Sequence, residues 1–90
     1  MLPPFLPLVM MVYVYVLRSL SSGCFYVGIS KSPGKRKRQH DRNQSAGTRG
    51  KGPWKELFRE PYPTYAEARQ REKYLKSGRG REWLRSAFGG

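Results

Sequence analysis

Five residues of this 90-residue chain have types and positions from which chemistry could be built: Tyr15, Tyr26, Arg36, His40 and Glu72. Glu72 is the least expected of them. It falls in the inward stripe of a helix, Tyr65, Ala68, position 72 and Leu75, spaced 3, 4, 3. Burying a carboxylate there is costly unless it is paired or holds a cation. An ion pair with one of the many arginines satisfies that condition. So does Mg²⁺, a hard ion held by one or two carboxylates, water and substrate phosphate. Arg36 and His40 lie one helical turn apart and project from the same face. Alone, such a pair is most often a surface feature. Lys35, Lys37, Arg38 and Arg42 surround it, and the simplest reading of the run is a solvated face turned toward phosphate. Tyr15 and Tyr26 have an equally plain account, because aromatics are common cross-strand pairs.

Those residues depend on a hairpin and two helices for their positions. Val12–Arg18 is an unbroken β-branched and aromatic run and reads as a central strand, with Cys24–Ile29 as its partner. The Ser/Gly segment between them is a turn. Centring that turn between Leu20 and Ser21 pairs residues whose numbers sum to 41, so that Tyr15 faces Tyr26 and Tyr13 faces Gly28. Two phenols then project side by side, and the glycine leaves room next to them; a one-residue slip breaks this pairing. Ser30–Gly34 reads as a turn with Pro33 and Gly34 as breakers, and Lys35–Arg42 as a short helix. Residues 43–53 form a polar, glycine-rich loop carrying Arg49 and Lys51. Trp54–Arg59 is a weaker third strand, ended by Pro61 and Pro63. Thr64–Ser77 is a helix with a Thr64/Glu67 capping box and a stop at Gly78. A last short helix spans Arg81–Phe88. The expected fold is therefore α+β, a small three-stranded antiparallel sheet flanked by helices in the order β-β-α-β-α-α.

Ninety residues make one small domain, which buries about 60% of its unfolded surface. Eighteen Lys and Arg against six Asp and Glu give a net charge of +12. Self-repulsion of that size costs stability and calls for an anionic partner. Nucleic acid fits best. A membrane surface would want a basic helix with a large apolar face, and the basic helices here are too poor in apolar residues. A single cysteine, Cys24, excludes an internal disulfide and fits a reducing, cytoplasmic setting. Residues 1–11, MLPPFLPLVMM, are apolar but cut by three prolines and far too short to span a bilayer. They are expected to be a disordered leader or the product of a start assigned too early, ahead of a single domain over residues 12–88.

Tyr13-Val14-Tyr15 and Tyr26-Val27-Gly28, with ten residues between them, resemble the paired signature of the GIY-YIG nuclease family. Arg36 and His40 stand where that family carries its helix arginine and a frequent histidine. Arg71-Glu72-Lys73-Tyr74-Leu75-Lys76 resembles its glutamate helix, and residues 76–84 resemble the tail of its small stand-alone bacterial members. The resemblance covers residues 12–84. Tyr13 replaces the first glycine of the signature, Ile29 stands where the excision-repair relatives have lysine, and the asparagine some restriction-enzyme relatives place after the glutamate helix has no equivalent.

The resemblance implies phosphodiester hydrolysis with one divalent ion, Mg²⁺ or Mn²⁺. It implies that Glu72 holds the metal, that Arg36 neutralises charge on the phosphate, and that Tyr26 acts as general base or positions water. Tyr15 would orient Tyr26, and His40 would relay a proton or bond a phosphate. A free phenol has a pKa of about 10 and is a poor base, but nearby cations favour the phenolate. Lys35, Lys37, Arg38, Arg42, Arg49 and Lys51 would bind nucleic acid, DNA in preference to RNA. The expected activity is a structure-selective, repair-related DNA endonuclease, monomeric or weakly dimeric. Two other readings stand beside it: a non-catalytic basic module that binds nucleic acid with the same fold, and a ribosome-associated protein, which leaves Glu72 unexplained.

Overall fold

Val12–Ser19 forms β1, the middle strand of an antiparallel sheet ordered β2-β1-β3, with β2 at Phe25–Ser30 and β3 at Trp54–Tyr62. The computed structural model describes residues 11–41 and 50–89, and the side chains of all of these except 39–41. Three helices complete the chain: α1 (Pro33–Asp41), α2 (Tyr65–Lys76) and α3 (Gly78–Phe88). The element order β-β-α-β-α-α is the one the sequence predicts.

Both faces of β1 are covered, which is why its sequence is apolar without alternation. Val12, Val14 and Val16 point to one face and pack with Val27, Ala68, Leu75 and Leu84 beneath α2 and α3. Tyr15 and Leu17 point to the other and pack with Trp54, Cys24 and Tyr26. Each fully buried valine or leucine contributes roughly 1.5–3 kcal/mol. The first cluster therefore anchors the helices, and the second shapes the tyrosine face.

The hairpin register differs from the expected one. Tyr15 lies opposite Gly28 and Leu17 opposite Tyr26, so paired numbers sum to 43 rather than 41. The turn is Leu20–Gly23 and not a loop centred on Leu20–Ser21. Ser19 N–H donates to Cys24 C=O at 2.8 Å, and Gly23 N–H donates to Ser19 C=O at 2.9 Å. Gly23 closes the turn at φ 78, a left-handed conformation that favours glycine. The buried Ser19 Oγ accepts from the N–H groups of Ser21 and Ser22, at 3.3 and 3.0 Å, and donates to Lys51 C=O at 2.5 Å. A shift of two residues keeps the period-2 alternation, so Tyr15 and Tyr26 still share a face.

Other boundaries move for identifiable reasons. Pro33 and Gly34 open α1 instead of breaking a turn: proline has no N–H to lose at a first helical position, and Arg36 N–H reaches Ser32 C=O at 3.1 Å. β3 runs through Pro61 to Tyr62, because an edge strand paired on one side tolerates a missing donor. It carries an irregularity beside Val16 and Leu17, which pair with Phe58 and Glu56 and leave Leu57 over.

Thr64 caps α2 by accepting from Glu67 N–H at 3.3 Å, as the sequence predicts. Gly78 is not the stop. Ser77, in extended backbone, ends α2 and also caps α3 by accepting from Gly80 N–H at 3.2 Å. Tyr65, expected inward, is 57% exposed, because it begins α2 one turn before Ala68 meets the sheet. Met11 is buried. The leader expected over residues 1–11 otherwise lies outside the described residues.

Candidate functional site

Tyr15, Tyr26 and Arg36 come together on the face of the sheet that carries α1. Tyr15 is 1% exposed, and its ring lies 6.1 Å from that of Tyr26, tilted by 39°. Tyr26 is held from its other side by Trp54, edge-on at 6.3 Å. Gly28 makes the arrangement possible: a Cβ there would stand 2.5 Å from the Tyr15 hydroxyl oxygen. The clearance that glycine provides is thus for the Tyr15 phenol itself, which folds across the partner strand.

The Arg36 guanidinium hydrogen-bonds the Tyr15 phenol, which in turn contacts Tyr26. Burial pushes the Tyr15 pKa up to about 12; the Arg36 hydrogen bond pulls the other way and loses, while Tyr26 adds to the rise. At Tyr15, the phenol expected to orient Tyr26, desolvation outweighs the neighbouring guanidinium. Tyr15 keeps its proton at neutral pH and acts as a donor.

A folded pKa raised above the unfolded value of about 10 has a definite consequence for stability. The contribution is complete below about pH 10 and is lost as pH rises through about 12. Thermal melting followed from pH 8 to 12 should show an alkaline loss that is clearly shallower in Tyr15→Phe. Identical profiles for the two proteins would contradict this assignment.

Glu72 stands apart from the tyrosines. Its side chain is 14% exposed and bonds Lys76 at 3.1 Å, with Arg69 at 4.0 Å, both on its own helix. It occupies one shoulder of the buried Ala68/Leu75 seam. The opposite shoulder carries Arg71, which makes a two-pronged bridge to Glu60 of β3 at 2.9 and 3.2 Å. With β3 on that side, Glu72 faces the β2 side of the sheet, where Lys76 and Tyr26 line a common cleft. The link between Glu72 and the tyrosine cluster runs through this cleft: Tyr26 lines it, and so does Lys76, the residue that bonds Glu72. Among the described residues no group of three or more His, Cys, Asp or Glu could hold a metal.

The basic residues spread more widely. Lys35 and Arg38 are exposed on α1, Lys37 is half-buried there, and Lys51 is exposed beside the hairpin turn. The His40 side chain and residues Arg42 and Arg49 lie outside the described set. Three residues had no part in the site read from the sequence: Ser19, which ties the turn to Lys51; Trp54, which packs on Tyr26; and Lys76, which holds Glu72. Only Lys76 carries a local signal, its i+4 spacing from a glutamate.

Comparison with known proteins agrees with this geometry. The family model described as the GIY-YIG catalytic domain matches residues 11–84. A UPF0213 protein from Bacillus halodurans, solved by solution NMR, is similar at 32% identity with a TM-score of 0.52, over 90% of this chain and 88% of that one. No curated protein matches. Among the described residues no helix is long and apolar enough to cross a membrane. With more than four fifths of the chain matched and the signature tyrosines on one sheet face, the chain belongs to the GIY-YIG family, a family of nucleases that act on nucleic acid.

Proposed function

We propose that this protein is a Mg²⁺-dependent DNA endonuclease that hydrolyses phosphodiester bonds with a single metal ion. The observation that carries the reading is the Arg36–Tyr15–Tyr26 set, a half-buried guanidinium and phenol coupled through the buried Tyr15 on the face that bears a basic helix. Glu72 fits the metal. It is a half-buried single carboxylate, and Mg²⁺ is the ion that accepts one protein carboxylate and keeps its waters, whereas a zinc site takes three or four protein ligands. Bound there, the ion supplies Lewis-acid stabilisation of the phosphoryl and leaving oxygens.

The chain's own groups do the rest. Arg36 neutralises negative charge developing on the phosphate. Tyr15, held protonated, directs its hydroxyl at Tyr26 and fixes the orientation of that phenol. Tyr26 positions the attacking water and takes its proton, and His40 passes the proton on or bonds a phosphate. Lys35, Lys37 and Arg38, with Arg42, Arg49 and Lys51, grip the backbone and set register without reading sequence. The protein works in the cytoplasm, as a monomer or weak homodimer, on branched, flapped or single-stranded DNA.

A second reading draws on the Glu72–Lys76 pair, which satisfies the carboxylate without any metal. It is a binding module with the same fold and no catalysis. A panel of labelled DNA and RNA structures, incubated with Mg²⁺, Mn²⁺ or chelator, separates the two. Metal-dependent nicking should appear on DNA and fall about 10²–10⁴-fold in Tyr26→Phe, the range for loss of a general base. Salt-sensitive binding with no cleavage in either metal would leave the binding module.

A further inference from the structure

A cleft of about 650 Å³ lies between the outer edge of β2 and the helices α2 and α3. That is the size of an ordinary ligand site. Phe25, Val27, Leu75 and Leu84 give it an apolar floor. Arg18, Lys51, Lys76, Arg81 and Arg85 stand around that floor, and among the described residues no carboxylate lines the cleft. Two of the five cations are engaged. Arg18 donates to Phe88 C=O and lies over the Phe25 ring at 5.6 Å, and Lys76 holds Glu72. Lys51, Arg81 and Arg85 are exposed, and among the described residues no carboxylate pairs with them.

Like charges gathered around one low-dielectric concavity focus a positive potential. A flat surface patch would bind phosphate through charge alone. This one also offers apolar walls below its cations, so its ligand must be an anion with an apolar face. A duplex keeps its bases stacked inward. An unpaired nucleotide presents both a base and its flanking phosphates. The cleft also adjoins the candidate active site twice, through Tyr26, which lines it, and through Lys76, which bonds Glu72.

We propose that this cleft seats an unpaired nucleotide of the substrate strand, its base on the Phe25 side of the floor and its phosphates on Lys51, Arg81 and Arg85. The neighbouring phosphodiester then runs toward Tyr26 and Glu72, which selects substrates with a flap, gap or single strand beside the cut. This last step rests on the nuclease reading; the binding does not.

The test is fluorescence anisotropy with a labelled oligothymidylate, an abasic chain of equal length and a blunt duplex, all in EDTA so that binding is read without cleavage. Arg81→Ala/Arg85→Ala should bind the oligothymidylate about tenfold more weakly and the duplex less than about twofold more weakly. Lys73→Ala/Arg79→Ala removes the same charge from exposed positions outside the cleft and should change both by less than about twofold. The abasic chain should bind the parent protein several-fold more weakly than the oligothymidylate. Lys51→Ala, on a different element, should repeat the single-strand loss if α3 is disturbed by its own substitutions. Equal losses from the two double variants, or equal losses on single strand and duplex, would reduce the cleft to part of a general positive surface. A protein that binds in this pattern but cuts nothing sinks the nuclease reading alone.

Discussion

Glu72→Ala should lower the rate of metal-dependent cleavage about a thousandfold or more, roughly 4 kcal/mol at 1.36 kcal/mol per tenfold. The same substitution should leave the melting temperature almost unchanged. The contrast decides between a structural and a catalytic carboxylate. Structurally, Glu72 makes one i,i+4 contact with a lysine whose side chain is 52% exposed and a longer one with an arginine that is 60% exposed. Such pairs contribute about 0.3–0.5 kcal/mol, and the alanine variant gains helix propensity in return. On the proposed mechanism, removing the carboxylate that would hold the ion also removes several kcal/mol of transition-state stabilisation. Cleavage kinetics beside thermal melting measure both effects. A Glu72→Ala protein that cuts at the parent rate would overturn the mechanism, and one that unfolds would make Glu72 a structural residue. Glu72→Gln, which keeps shape and loses charge, should match the alanine variant in rate.

Gly80→Ala should cost about 3 kcal/mol or more, and so lower the melting temperature by roughly 12–24 °C. Intrinsic propensity predicts the opposite sign, since alanine is favoured over glycine in a helix by about 1 kcal/mol. Sterics win by magnitude. A Cβ at position 80 would stand 2.0 Å from Tyr74 O and 2.5 Å from Leu75 Cα, and backbone atoms cannot swing aside as a side chain can. Relief requires α3 to lift from α2, which separates Leu84 from Leu75, both essentially buried. A domain of this size has only about 5–15 kcal/mol of net stability. Circular dichroism melting checks the prediction, and a variant as stable as the parent would show that the helix corner yields more readily than the contact distances allow.

The architecture was legible because β1 and β2 carry strong β-branched runs and α2 carries both a capping threonine and an apolar seam. What misled was punctuation. Gly78 and Pro33 look like breakers, but Ser77 breaks the chain with extended backbone alone, and Pro33 begins a helix whose first N–H has no partner to lose. The hairpin register slipped by two because nothing local distinguishes a turn at Leu20–Ser21 from one closed by a left-handed Gly23. The shared face of Tyr15 and Tyr26 survived that error, since a two-residue slip preserves which face a side chain takes. The rise at Tyr15 was hidden, because charge can be counted in a sequence and burial cannot. The cleft was equally hidden: Arg18, Lys51, Arg81 and Arg85 are far apart in the chain, and only the return of α3 along the sheet gathers them.

The bridge between Arg71 and Glu60 has a mechanical meaning. Of the residues of α2, only Ala68 and Leu75 are buried, and a seam so narrow would let the helix roll about its own axis. Arg71, clamped to β3 and stacked near the rings of Tyr74 and Trp83 at 5.4 and 5.6 Å, supplies a third point off that axis. Successive residues on a helix are separated by about 100°, so fixing the azimuth of Arg71 fixes that of Glu72 next to it. With side chains about 5–6 Å from the axis, a roll of about 20° would carry the carboxylate some 2 Å sideways. A contact on the far side of the helix therefore acts as a rotational stop for a group that never touches it.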